Sequence, residues 1–147
     1  MARERAWRAS ASAVHLLHRA SQVADELFAR TADSVLTPRQ FVILATVADA
    51  EGINQKGIIE ATGIDRSSTA ELVQRLVRRG LLRRRRIKRD ARSYAVRLTP
   101  EGRALVGEVR PAAQQTDIHL LGPIGKTNVL LEMLERLVQA HSETSGI

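Results

Sequence analysis

The chain contains no cysteine, which excludes disulfides, thiolate-held zinc, thiol catalysis and any thiol redox switch, and is compatible with a reducing cytosol. Aromatic side chains are nearly as scarce, being limited to Trp7, Phe28, Phe41 and Tyr94. The core therefore has to be aliphatic, and Leu, Val, Ile and Ala at helical spacing suit a mostly α protein. No apolar run approaches the ~20 residues that a membrane span needs. Nothing pairs a nucleophile with a base or brings two carboxylates together, so neither an enzyme nor a bound cofactor is expected. At 147 residues, 44 % of them hydrophobic, one cooperative domain is expected over 1–147.

Positive charge is abundant, and it is focused. Between Arg66 and Arg97 stand twelve basic residues against two acids, Glu71 and Asp90, a window charge of +10. The whole chain carries +7, which leaves −3 on the other 115 residues. A solubility charge would be spread evenly; a focused one is the footprint of a polyanionic partner.

The opening stretch to Ser21 has the Arg, Ser and Ala content of a transit peptide. Glu4 breaks the acid-free pattern, however, and the apolar stripe continues past the segment, so a structural helix is expected from about Ala6 to Arg30. Thr37-Pro38 then supplies an N-cap and a first-turn proline for a helix over 39–50 that buries Phe41, Leu44, Ala45 and Val47 or Ala48. Asn54 caps a short helix to Ala61, with Ile58 and Ile59 facing inward. Gly63 supplies a turn, after which either Asp65 or Ser68 caps another helix; Ser68 and Glu71 also match a capping box. Two helices joined by a short glycine-containing turn form a helix-turn-helix pattern.

The next segment makes that pattern more specific. Residues 81–87 and 94–98 read as two strands, and the second alternates cleanly, with Tyr94, Val96 and Leu98 on one face. The first carries Arg83, Arg84, Arg85 and Arg86 in succession, charging both faces, so it has to stand in solvent as a basic wing. Thr99-Pro100 opens a further helix in which Pro111 is expected to cause a kink or break near Arg110. Gly122-Pro123 precedes a last helix whose apolar residues, from Val129 to Val138, are too many for one contact face. One side is expected to meet its own subunit and the other a partner chain.

The order of elements, with Leu36-Thr37-Pro38-Arg39-Gln40-Phe41, Asp65-Arg66-Ser67-Ser68-Thr69, Leu76 to Leu82, Asp90-Ala91-Arg92 and Leu98-Thr99-Pro100-Glu101-Gly102, resembles the MarR family of bacterial regulators. The resemblance implies a mainly α fold with a small β-wing. It also implies a homodimer built from terminal helices (6–35 and 104–147), a winged helix-turn-helix lobe over 36–103, and a small-molecule pocket between the two. A cytoplasmic, nucleoid-associated bacterial repressor on a palindromic operator is the implied function. A non-specific nucleoid-type protein is the alternative.

In such a motif the second helix enters the major groove. Arg66, Ser67, Ser68 and Thr69 stand at its start, with Gln74, Arg75 and Arg78 further along. Gln74 suits adenine and Arg75 guanine, while Ser67 and Ser68 can equally serve as caps alone. In the wing, Arg85, Lys88, Arg89 and Arg92 are expected on phosphates or in the minor groove, and the resemblance implies that Asp90 holds a wing arginine in place. The family's effectors are commonly aromatic or phenolic acids and acyl compounds, including thioesters. Candidate contacts for such an anionic or aromatic ligand are Trp7, His15, His18, Arg19, Arg39 and Phe41. Two histidines one turn apart without a carboxylate cluster do not make a metal site, so none is expected.

Overall fold

The computed structural model describes residues 6–33, 35–87 and 90–142, and only the backbone of residues 90–93. Helix α1 spans Ala13–Thr31, shorter at its start than the apolar periodicity predicts. A 3-10 turn over Ala9–Ala11 precedes it, and Ser12 accepts from the His15 N–H to start the helix proper. Helix α2 spans Pro38–Asp49 and opens on a complete capping box, with Thr37 and Gln40 each accepting from the other's backbone N–H. That reciprocal bond turns Gln40 inward, so the buried row is Gln40, Ile43, Leu44 and Val47. Phe41, Ala45 and Ala48 are half-buried beside it.

Asn54 caps α3 (Gln55–Thr62) by accepting from the Gly57 N–H at 2.8 Å. Gly63 ends it with φ +68°, a left-handed conformation that glycine adopts freely. Helix α4 follows at Arg66–Arg78, then strands β1 (Leu82–Ile87) and β2 (Asp90–Leu98), paired antiparallel. Leu82 lies opposite Leu98 and Arg86 opposite Tyr94.

Helix α5 runs unbroken over Pro100–Leu121, so of the kink or break expected near Arg110 the break does not occur. Proline removes the bond that its own N–H would have made to the Gly107 carbonyl and crowds that carbonyl with its ring. Both residues are exposed, so water can replace the missing donor. After a 3-10 turn (Gly122–Ile124), α6 spans Thr127–Ser142.

The core is aliphatic. Ile43, Leu44, Val47, Ile58, Val73 and Leu76 are fully buried, with Leu82, Val96 and Leu98 of the hairpin base beside them. Phe28 closes one edge, its ring 5.9 Å from that of Phe41. In contrast, α6 buries no residue, and Phe28 is the buried residue of α1.

Candidate nucleic-acid interface

The turn between α3 and α4 is wired by short side chains. Thr62 donates to the Ile58 carbonyl and accepts from the Ile64 N–H. Asp65 accepts from the Ser68 N–H at 2.8 Å, so Asp65 and not Ser68 caps α4. This backbone bond, reinforced by the Ser68 hydroxyl, holds the Asp65 carboxyl below its ordinary pKa. The alternative Ser68–Glu71 box does not form, and Glu71 instead accepts from Arg75 one turn on, at 2.8 Å.

The buried row of α4 is Thr69, Val73 and Leu76. Arg66, Ser67, Gln74, Arg75 and Arg78 are exposed, and Ser68 is half-buried. Ser67 and Arg78 lie opposite the buried row at helical spacing, with Gln74 and Arg75 flanking them on either side. Thr69 is a correction to the sequence reading: it is fully buried, and its hydroxyl donates to the Ile64 carbonyl at 3.1 Å. Its place one turn after the cap puts it under the turn, where the tightening chain needs a donor more than DNA does.

In the wing, Arg83 to Arg86 are all exposed. The Arg86 guanidinium lies 6.0 Å from the centroid of the Tyr94 ring, with Nε 3.5 Å from the phenol oxygen. That contact lowers the Tyr94 pKa and raises that of Arg86, so Arg86 stays a cation. Lys88 and Arg89 fall outside the described residues, as do the side chains of Asp90 and Arg92. The segment before α3 is tied to the two-stranded hairpin by backbone bonds and one isolated bridge. Gly52 N–H donates to Val96, Val96 N–H donates to Ile53, and Asn54 bridges to Ala95.

Two residues outside the predicted DNA-contact set organise this surface. Arg79, just past α4, donates to the Val35 carbonyl (3.1 Å) and to the Gln40 Oε1 (3.4 Å). This ties the end of α4 to the α2 capping box. Glu51 bridges Arg97 of β2 and Arg103 of α5. These partners are 39 to 52 positions apart, and no local pattern announces them.

A cleft of about 560 Å³ opens between α1, the start of α2 and α4. Phe28, Leu36 and Leu72 give it apolar walls, Arg39 and Arg75 contribute guanidiniums, and Asp25 a carboxylate. Of the six residues predicted to meet an effector, only Arg39 lines it. His15, His18 and Arg19 are exposed on the earlier turns of α1, Trp7 is exposed ahead of it, and Phe41 packs against Phe28. The sequence grouped these residues by chemistry; the crossing of α1 and α2 separates them. Among the described residues no group of three or more His, Cys, Asp or Glu could hold a metal ion, and no helix is long and apolar enough to cross a membrane.

A helix-turn-helix backed by a basic hairpin defines a winged-helix protein. A family model described as MarR family matches residues 36–93. The HTH-type transcriptional repressor NicR of Pseudomonas putida is 31 % identical over 135 residues, which cover 90 % of this chain and 85 % of NicR. BpsR of Bordetella bronchiseptica, whose DNA binding is regulated by 6-hydroxynicotinic acid, matches with a TM-score of 0.81 and 34 % identity, over 90 % of this chain and 96 % of its own. PcaV of Streptomyces coelicolor, solved with its natural ligand, matches with a TM-score of 0.85 and 28 % identity, over 92 % and 98 %. The chain belongs to the MarR family.

Proposed function

We propose that the chain is a transcriptional repressor that binds a palindromic DNA operator as a homodimer and releases it when a small aromatic acid occupies the cleft. The observation that carries this reading is the exposure of Arg66, Ser67, Gln74, Arg75 and Arg78 on α4 together with that of the wing arginines Arg83 to Arg86. An exposed helix face beside a charged hairpin suits major-groove reading with flanking phosphate contacts. NicR as a repressor and BpsR as a ligand-regulated DNA binder support it.

Dimerisation is supported by what the single chain leaves uncovered. Val129, Leu131, Met133, Leu137 and Val138 of α6 are between 42 and 64 % exposed, and Val14, Leu16, Leu17 and Val23 of α1 are exposed as well. Apolar surface on this scale calls for a second copy. The cleft's apolar walls and two guanidiniums suit a planar carboxylate, with Arg75 also standing on the flank of α4. Ligand and DNA thereby compete for the position of one helix.

Footprinting of the DNA upstream of the chain's own coding region tests this. Two protected half-sites about one helical turn apart, roughly 34–36 Å, are expected, with loss of protection in a panel containing 6-hydroxynicotinic acid, hydroxybenzoic acids and aromatic acyl thioesters. Even coating with no protected palindrome points instead to the non-specific nucleoid-type function.

A further inference from the structure

We propose that Glu51 is a positioning residue for DNA recognition, fixing the attitude of the wing against α5; this rests on the DNA-binding function proposed above. The segment from Asp49 to Asn54 touches α3, the hairpin and α5 in turn. Asn54 caps α3, and Gly52 and Ile53 exchange backbone bonds with Val96 near the end of β2. Glu51 forms an ion pair with Arg97 at the base of β2 (3.6 Å) and accepts a hydrogen bond from Arg103 in the first turns of α5. Asp49 meets Arg110 (3.3 Å) two turns further along the same face of α5.

The need for Glu51 lies in the wing itself. Arg97 stands directly opposite Arg83, a like-charge pair that repels across strands. The Arg97 guanidinium lies over Gly52, where a Cβ would come 3.4 Å from Nη2 and where φ is +84°. Its Nε is buried without a partner. The Glu51 carboxylate is the ion partner that holds this guanidinium down, and the same carboxylate reaches α5. The tilt of four successive arginines toward DNA is thus set by one acid at the hairpin's base. Glu51 is 32 % and Arg103 61 % exposed, so the bridge contributes little to global stability and its loss is read in geometry.

The sign of the effect separates positioning from simple charge. Removing an acid from a DNA-binding surface ordinarily tightens binding. Glu60→Gln provides that control, because Glu60 is exposed and pairs only loosely with Lys56 (3.8 Å). Glu51→Gln is expected to weaken operator binding about fivefold and to flatten the dependence of log K on log salt, despite its extra positive charge. Hydrogen exchange on the free protein is expected to show faster exchange across β1 and β2, including the Val96 amide, with α4 unchanged. Binding by Glu51→Gln as tight as by Glu60→Gln, or an unaltered wing exchange, overturns the proposal. If Glu51→Gln does not fold, Arg103→Gln breaks the α5 half of the bridge and is expected to loosen the same wing amides; unchanged exchange there overturns it equally. Wild-type protein that fails to retard duplex DNA overturns the function proposed above, while the exchange comparison still decides whether Glu51 anchors the wing.

Discussion

The hydroxyl of Thr69 donates to the carbonyl of Ile64 at 3.1 Å from a fully buried position, closing the helix-turn-helix from inside. Thr69→Val keeps the shape and removes the donor, leaving a carbonyl without its partner. A loss of about 1–2 kcal/mol in urea unfolding is expected, with operator affinity of the folded protein near wild type. Reduced affinity at unchanged stability would return Thr69 to the DNA-facing set.

Gly102 is required by a close approach. A Cβ there would sit 2.0 Å from the Leu81 carbonyl oxygen, which already accepts from the Thr99 N–H as α5 begins. Backbone cannot yield as a flexible side chain does. Gly102→Ala is expected to cost at least about 2 kcal/mol by denaturant unfolding. Gly107→Ala, in the same helix with open space around it, should be neutral or stabilising by up to about 1 kcal/mol.

Arg75 and Arg85 should fail differently when truncated. Arg75, oriented by Glu71, is the candidate base reader, so Arg75→Ala should lose about 1–3 kcal/mol of discrimination at one base pair and little affinity for random DNA. Arg85, exposed on the wing, should on truncation weaken all sequences alike and reduce the salt slope by about 0.9. Titrations against operator variants at several salt concentrations check both, and uniform loss for Arg75→Ala would remove its base-reading role.

Acid should loosen the start of α4. The Asp65 carboxyl is held below its ordinary value of 3.8 by the Ser68 backbone and hydroxyl. Its contribution is therefore fully present above that value and is lost as pH falls toward and through the lowered folded-state pKa. Asp65→Asn keeps an accepting oxygen at the cap without the titration. The melting temperature of Asp65→Asn should accordingly fall less steeply than that of wild type below about pH 4, and parallel curves for the two proteins would contradict the charged cap.

Much of the lobe was legible because its signals are local. Thr37-Pro38, Asn54, Gly63 and Thr99-Pro100 each act within a turn of themselves, and the helices start or stop where those residues stand. The arginine run had to protrude, since charge on both faces of a strand has no buried solution. Pro111 did not break its helix, because the Gly107 carbonyl it leaves without a donor stands in solvent. The cleft was legible only in Arg39, since its walls come from three helices and their crossing is a property of packing.

The sequence by itself determined that a basic wing follows a helix-turn-helix, because caps, glycines, periodicity and charge focus act over a few residues. Only the tertiary structure decided which of those residues face outward and what holds them there. Thr69 turned inward, and Arg79 was drawn to Gln40 and Val35. Glu51 came to stand between Arg97 and Arg103. Each of these depends on partners that meet only once the aliphatic core has closed, when the burial of Ile43, Leu44, Ile58 and Leu76 fixes the crossing of the helices that carry them.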